Sequence, residues 1–344
     1  MRHLTPARFA ATLAGLLALL ALAALLALSL GPSGMPLDEV WRALREPGIG
    51  GPGSDIVLGI RLPRLLLAML VGACLSTSGV IFQALLRNPL ADPFILGVSG
   101  GAALGGIAVL SLGATLGLGQ SAVPPAAFAG SLLTTLLLYL IAGRGSRVSA
   151  TALLLTGVVF NAFASAAIVF LASLAGLEDG GRIFIWLIGN LAVARVDLAP
   201  WLASFLVLGL SCAMVLSRSL NALALGDESA EQLGVATLTQ RRLLLLSTSL
   251  MVGAAVSVSG LIGFVGLIIP HLLRLLLGPD HRLLVPAAAI GGAAFLVVCD
   301  SVARTLLGGR ELPVGAITAL AGGPLFLLLL RRGQQRLFVP GEVR

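Results

Sequence analysis

The stretch LPRLLLAMLVGACLSTSGVIFQAL, residues 62–85, is a run of 24 residues carrying one charge, Arg64. A helix needs about 20 apolar residues to cross roughly 30 Å of hydrocarbon. This run is long enough, and nothing in it supplies a broad polar face for water. Working outward, the same pattern recurs. Upstream lies an apolar run at about Ala10–Leu30, behind Arg2 and Arg8. Downstream, runs follow at about Pro93–Leu112, Val123–Ala142, Ala152–Ala172, Leu198–Leu216, Arg242–Leu261, Gly263–Leu277, Leu283–Val302 and Pro313–Leu330. The reading is an all-α polytopic membrane protein with about ten transmembrane helices, forming a single transmembrane domain over residues 1–344. Gly263–Leu277 is short and holds Pro270, and Ile183–Leu191 is too short to cross and reads as a partial helix lining a cavity. Gly31–Asp55 is polar and Gly/Pro-rich, an external connector with one amphipathic surface helix at Leu37–Leu44. A cleaved signal peptide would have an apolar core of only about 7–15 residues, so Ala10–Leu30 is read as the first span.

Composition agrees. Hydrophobic residues make up 58% of the 344 residues, charged residues 11%, and mean hydropathy is +1.04. Soluble domains carry roughly 25% charged residues. All 22 basic residues are arginine. A P-loop needs its lysine to reach the β- and γ-phosphates, so ATP, if it drives this chain, is bound by a separate subunit. Cys74, Cys212 and Cys299 each sit inside an apolar run, as small hydrophobes. His3, His271 and His281 are too scattered for a metal site. No catalytic residue, metal, cofactor or nucleic-acid partner is expected.

Arginine bias gives the orientation. With the N-terminus inside, 14 arginines fall on inner segments and 8 on outer ones. Both termini are therefore expected in the cytoplasm of a bacterial inner membrane. Small-residue stretches, notably Gly97–Gly106 and Gly253–Gly266, allow close helix packing or line a pore without bulky side chains.

Five motifs narrow the reading: Arg61-Leu-Pro-Arg64; residues 83–93, QALLRNPLADP; residues 225–235, LGDESAEQLGV; residues 260–274, GLIGFVGLIIPHLLR; and Glu311-Leu-Pro-Val-Gly315. In order and spacing, from about residue 55 to 330, they resemble the iron-siderophore, haem and vitamin B12 permease family, the membrane subunits of type II binding-protein-dependent ABC importers. The resemblance implies a homodimer with ten helices per subunit, two ATP-binding cassette ATPase subunits and an external substrate-binding protein, with cargo passing along the dimer axis. The cargo it implies is a ferric siderophore or haem, with vitamin B12 as the alternative.

Arg61 and Arg64 flank a proline suited to a first helical turn, and would present positive charge at the outer entrance of the second span, with Arg304 beside them. By resemblance these three dock glutamates of the binding protein; a headgroup anchor, or a local ion pair such as Asp300 with Arg304, is the alternative. Pro89 and Pro93 constrain the turn holding Asn88 and Leu90, which by resemblance narrow a cytoplasmic gate; Asn88 as an ordinary cap remains open. Residues 217–236 form the longest polar stretch on the inner side. Within it Gly226 and Gly234 bracket Asp227, Glu228, Ala230, Glu231 and Leu233, which by resemblance form the segment coupling the permease to its ATPase. Pro270-His271 is read as structural. A secondary transporter would place acids near the bilayer midplane, whereas Asp92, Asp280 and Asp300 lie near predicted helix ends. An intramembrane enzyme lacks its constellation, since H-E-x-x-H is missing. Membrane lipid is the remaining expected partner.

Overall fold

The computed structural model describes residues 5–31, 35–46, 52–94, 96–113, 115–144, 147–148, 150–175, 177–192, 196–308 and 310–337. Helices dominate them. In chain order they are α1 (Pro6–Ser29), α2 (Leu37–Arg45), α3 (Pro52–Ile56), α4 (Leu62–Leu85), α5 (Val98–Leu112), α6 (Val123–Ala142), α7 (Ala150–Leu174), α8 (Leu177–Ile188), α9 (Ala199–Val215), α10 (Ser217–Leu223), α11 (Asp227–Gln232), α12 (Thr237–Ser259), α13 (Val265–Leu277), α14 (His281–Thr305) and α15 (Val314–Leu337). A helix stands at every predicted span. Six are long and apolar enough to cross a membrane, and α9 with α10, bent by 64° after Val215, makes a seventh. Three more, α5, α13 and the apolar part of α15 (Val314–Leu328), are shorter. Between α6 and α7, two-residue strands β1 (Gly143–Arg144) and β2 (Arg147–Val148) pair antiparallel.

Boundaries depart from expectation in two places. The connector Gly31–Asp55 ends early, because the chain is already helical at Pro52 and runs through a π-turn, Val57–Arg61, straight into α4. The span expected from Pro93 starts only at Val98, since Asp92 closes a tight turn on the Phe94 N–H and Gly97 takes a left-handed φ of 84°. Caps explain other starts. Thr5 Oγ1 accepts the Arg8 N–H at 3.3 Å ahead of Pro6, and Asp280 Oδ1 accepts the Arg282 N–H at 3.1 Å ahead of α14.

The helices sort into an inner and an outer set. In their most apolar stretches α4, α12 and α14 are 83%, 72% and 78% buried, against 17% for α1 and 22% for α6 and α7. The outer helices turn leucine, valine and phenylalanine outward, as Leu133 and Leu140 on α6 and Phe163 and Phe170 on α7. In water such a surface would be untenable, but in lipid it is the solvent-facing side. The inner set packs through small residues. A Cβ on Gly72 of α4 would lie 2.3 Å from the Gly292 carbonyl oxygen of α14, and one on Gly292 would lie 2.4 Å from the Gly72 oxygen. Only two glycines let these backbones meet, which is how apolar helices associate where lipid gives no hydrophobic drive.

Candidate functional site: two polar ends and their linkage

The last turn of α1, the start of α4 and the end of α14 meet at one end of the bundle, and Arg61, Arg64 and Arg304 converge there. Arg61 donates to the carbonyls of Leu28 and, at 3.0 Å, Ser29. Arg64 Nε faces both oxygens of Asp300 at 3.0 and 3.1 Å, and its Nη1 meets Glu311 Oε2 at 2.8 Å. Arg304 contacts Asp300 at 3.1 Å and donates to the Ala27 carbonyl at 3.1 Å. The expectation of arginines presented freely at the surface is corrected here: Arg61, Arg64 and Arg304 are 4%, 6% and 6% exposed. Their guanidinium groups satisfy helix-end carbonyls and Asp300, because a buried arginine without partners is costly. The i,i+4 pair of Asp300 with Arg304 is present, with Arg64 as a third member. Among the described residues the cluster gathers three cations and two acids, and Glu311 is the acid that reaches solvent.

The opposite end gathers the start of α1, the end of α4, helices α10 and α11, and the starts of α12 and α14. Arg8 donates to the Leu277 carbonyl at 2.6 Å. Asn88 builds the turn after α4: its Oδ1 accepts the Leu90 N–H at 2.9 Å, its N–H reaches the Gln83 carbonyl at 3.1 Å, and its carbonyl accepts Ala91 N–H at 3.0 Å. Leu90 is half-buried beside it. Arg87, just before, takes a left-handed φ of 51°. Asn161 of α7 ties the same connector down, donating to the Phe94 carbonyl at 2.8 Å. Asp92 is buried there, and desolvation pushes its carboxyl up to about 6 against the opposing pull of the Phe94 N–H.

Helix α11 occupies the segment expected between Gly226 and Gly234, whose φ values are 129° and 79°. Ala230 is its buried anchor, while Glu228, Glu231, Leu225 and Leu233 are exposed. Asp227 points back into the protein. Its carboxylate meets Arg241 of α12 at 2.5 Å and Arg87 at 3.8 Å. A cleft of about 410 Å³ opens among Arg87, Asp227, Glu228, Glu231 and Arg241. Thus the expected coupling segment and the expected gate turn, separate in sequence, are joined through one carboxylate. Helix α10 is tied separately. Asn221 donates to Asp280 at 3.0 Å and accepts the His281 N–H at 2.9 Å. Hydrogen bonds from the Arg282 guanidinium hold the Asp280 carboxyl down at about 2.

Sequence reasoning missed the Asp227 linkage and the bond from Arg274 to Gln83 at 2.6 Å, by which α13 holds α4 while Gln83 donates to the Leu267 carbonyl at 3.1 Å. Both partners of the second lie in motifs that the sequence singles out, residues 83–93 and 260–274. His271, read as structural, has its Nδ1 buried without a hydrogen-bond partner among the described residues. Helix α8 does border a cavity, of about 440 Å³, with Arg182, Trp186, Asn190 and Ser257 on its wall.

Comparison with known proteins places this arrangement. The chain is 42% identical to the hemin transport system permease protein HmuU of Yersinia pestis, over 90% of this chain and 93% of that one. It is also 42% identical to the cobalamin import system permease protein BtuC of Halobacterium salinarum, over 88% of this chain and 81% of the relative. Among solved structures, an inward-facing ABC transporter assigned to the metal-chelate type superposes with a TM-score of 0.82 at 31% identity, covering 94% of this chain and 99% of that one. The family model that describes the FecCD transport family matches residues 19–332. The chain is a multi-pass membrane permease and belongs to the FecCD transport family.

Proposed function

We propose that this chain is the single-domain permease subunit of an ATP-driven importer, working as a homodimer with two separate ATPase subunits and an external binding protein. The cargo is a bulky metal chelate, with haem or a ferric siderophore favoured and a corrinoid the alternative. The observation that carries the reading is Asp227. It fastens α11, the exposed helix flanked by Leu225 and Leu233, to Arg241 and to Arg87 beside the Asn88–Leu90 turn. An ATPase that pushes on Gly226–Gly234 thereby moves the connector that narrows the pathway on the cytoplasmic side, a rigid-element transmission rather than a chemical step.

The Arg61, Arg64 and Arg304 cluster lies at the other end, where the binding protein docks. Its excess positive charge attracts glutamates of the partner, with Glu311 as the acid they displace. In this reading both termini lie in the cytoplasm of a bacterial inner membrane, which the arginine bias supports. The hemin and cobalamin relatives support a chelate cargo without choosing one.

The test is affinity purification of the tagged chain in mild detergent, co-expressed with its genomic neighbours. Co-purification of a P-loop ATPase, stimulated by the binding protein loaded with haem or ferric siderophore, is the expected result. Stimulation by cobalamin alone would reassign the cargo. A folded chain that never retains an ATPase would refute the reading.

A further inference from the structure

A groove lies between α4, the start of α5, α6, α7 and α12, beside the connector after α4. Its volume is about 450 Å³, within the roughly 300–1,000 Å³ of sites that hold small ligands. Phe82, Leu138 and Leu153 form a buried floor, and Leu136 and Leu246 an exposed rim. The polar features gather at one end. Tyr139, the chain's single tyrosine, lies under Arg242, whose guanidinium carbon sits 5.3 Å from the ring centroid.

Arg242 differs from its neighbour. Successive helix residues point about 100° apart, so Arg241 turns inward to Asp227 while Arg242 turns out over the groove. Arg242 is exposed and makes no ion pair among the described residues. It lies in the second turn of α12, close to the polar end that also holds Asp227 and Arg87, whereas Leu245, Leu246 and Ser249 line the groove one or two turns deeper. A cation at headgroup depth thus stands over an apolar trough running toward the bilayer centre. A cation–π contact with Tyr139 holds the Arg242 guanidinium over the groove, where its N–H groups are available to an oxyanion.

We propose that this groove binds an anionic phospholipid, with its phosphate on Arg242 and Tyr139 and one acyl chain along Leu136, Leu138 and Leu246. Basic pockets between membrane helices on the cytoplasmic side select anionic headgroups in this way. The inference rests on the chain spanning a membrane, and is independent of the ATPase, the binding protein and the cargo.

The experiment is native mass spectrometry of the full-length chain in mild detergent, titrated with phosphatidylglycerol or phosphatidylcholine carrying the same acyl chains, with inorganic phosphate as competitor. Wild type is expected to retain phosphatidylglycerol about fivefold better. Arg242→Ala, or Arg242→Gln should the first variant fold poorly, is expected to bring both lipids to the same level. Leu136→Trp, which fills the rim, is expected to reduce both. Equal retention by wild type, an undiminished preference in the Arg242 variants, or displacement by inorganic phosphate alone would overturn the proposal. A Leu136→Trp chain that loses its dimer while holding lipid as before would make the groove a contact between copies, and would overturn it as well. Failure of this test leaves ATPase co-purification untouched, so the two results separate.

Discussion

At the scale of single residues, two buried carboxylates carry opposite lessons. Asp300 is 2% exposed and stands between Arg64 and Arg304. Replacing it by alanine leaves two buried guanidinium groups facing each other, and breaking a buried pair costs about 3–5 kcal/mol. Asp300→Ala is therefore expected to lower thermal stability in detergent sharply, read as loss of a monodisperse peak on heating; a chain as heat-resistant as wild type would contradict the network. Asp92 acts the other way. Burial raises its carboxyl to about 6 in the folded chain from an ordinary 3.8. The folded state then holds the proton more tightly than the unfolded one, so the contribution is complete below about 4 and is lost as pH rises through about 6. A tenfold difference in proton affinity between the two states is worth about 1.4 kcal/mol. Asp92→Asn is expected to flatten the fall in melting temperature between pH 4 and pH 7, and an unchanged pH profile would show that the carboxylate is solvated. Of these environments only the i,i+4 pairing of Asp300 with Arg304 was legible beforehand. The sequence placed Asp92 and Asp300 near helix ends, but their burial depends on distant partners: Arg64 lies 236 positions from Asp300, and Asn161 of α7 holds the Phe94 carbonyl of the connector that buries Asp92 from 67 positions away.

At the scale of elements, α11 was legible because its signals are local. Gly226 and Gly234 bracket a short run of helix formers, and each adopts the positive φ that glycine tolerates. The partial helix before Leu191 and the surface helix at Leu37 were legible for the same reason. The start of α4 at Leu62 was legible too, but the helix ahead of it was not: Pro52–Asp55 looked like part of a polar connector, yet α3 and the π-turn run on into α4. What α11 is fastened to was also out of reach, since no periodicity relates Asp227 to Arg87. The fastening gives a prediction. Asp227→Ala is expected to leave the dimer assembled and ATP hydrolysis within about twofold of wild type, while cargo uptake falls about tenfold or more, because the push on α11 no longer reaches the connector. Uptake and hydrolysis measured in the same proteoliposomes check it, and intact coupled uptake would remove Asp227 from the path.

For the whole molecule, the hydropathy pattern located ten helices, because a bilayer forces every crossing backbone to satisfy its own hydrogen bonds. It did not reveal which helices lie inside. Apolar runs look alike whether they face lipid or protein, and the distinction rests on pairs such as Gly72 with Gly292 that only the folded chain brings together. The two polar ends follow from that core: α4 and α14 run between them, with Arg64 and Asp300 at one end and Arg87 and Asp280 at the other. In the importer proposed above, one of these ends is driven and the other is loaded. The most direct measurement is uptake of haem or ferric siderophore into proteoliposomes holding this chain with its ATPase and binding protein. Accumulation that requires ATP inside the ATPase-facing compartment, and that a proton or sodium gradient cannot replace, is the expected result. Accumulation driven by an ion gradient in vesicles lacking the ATPase would contradict it.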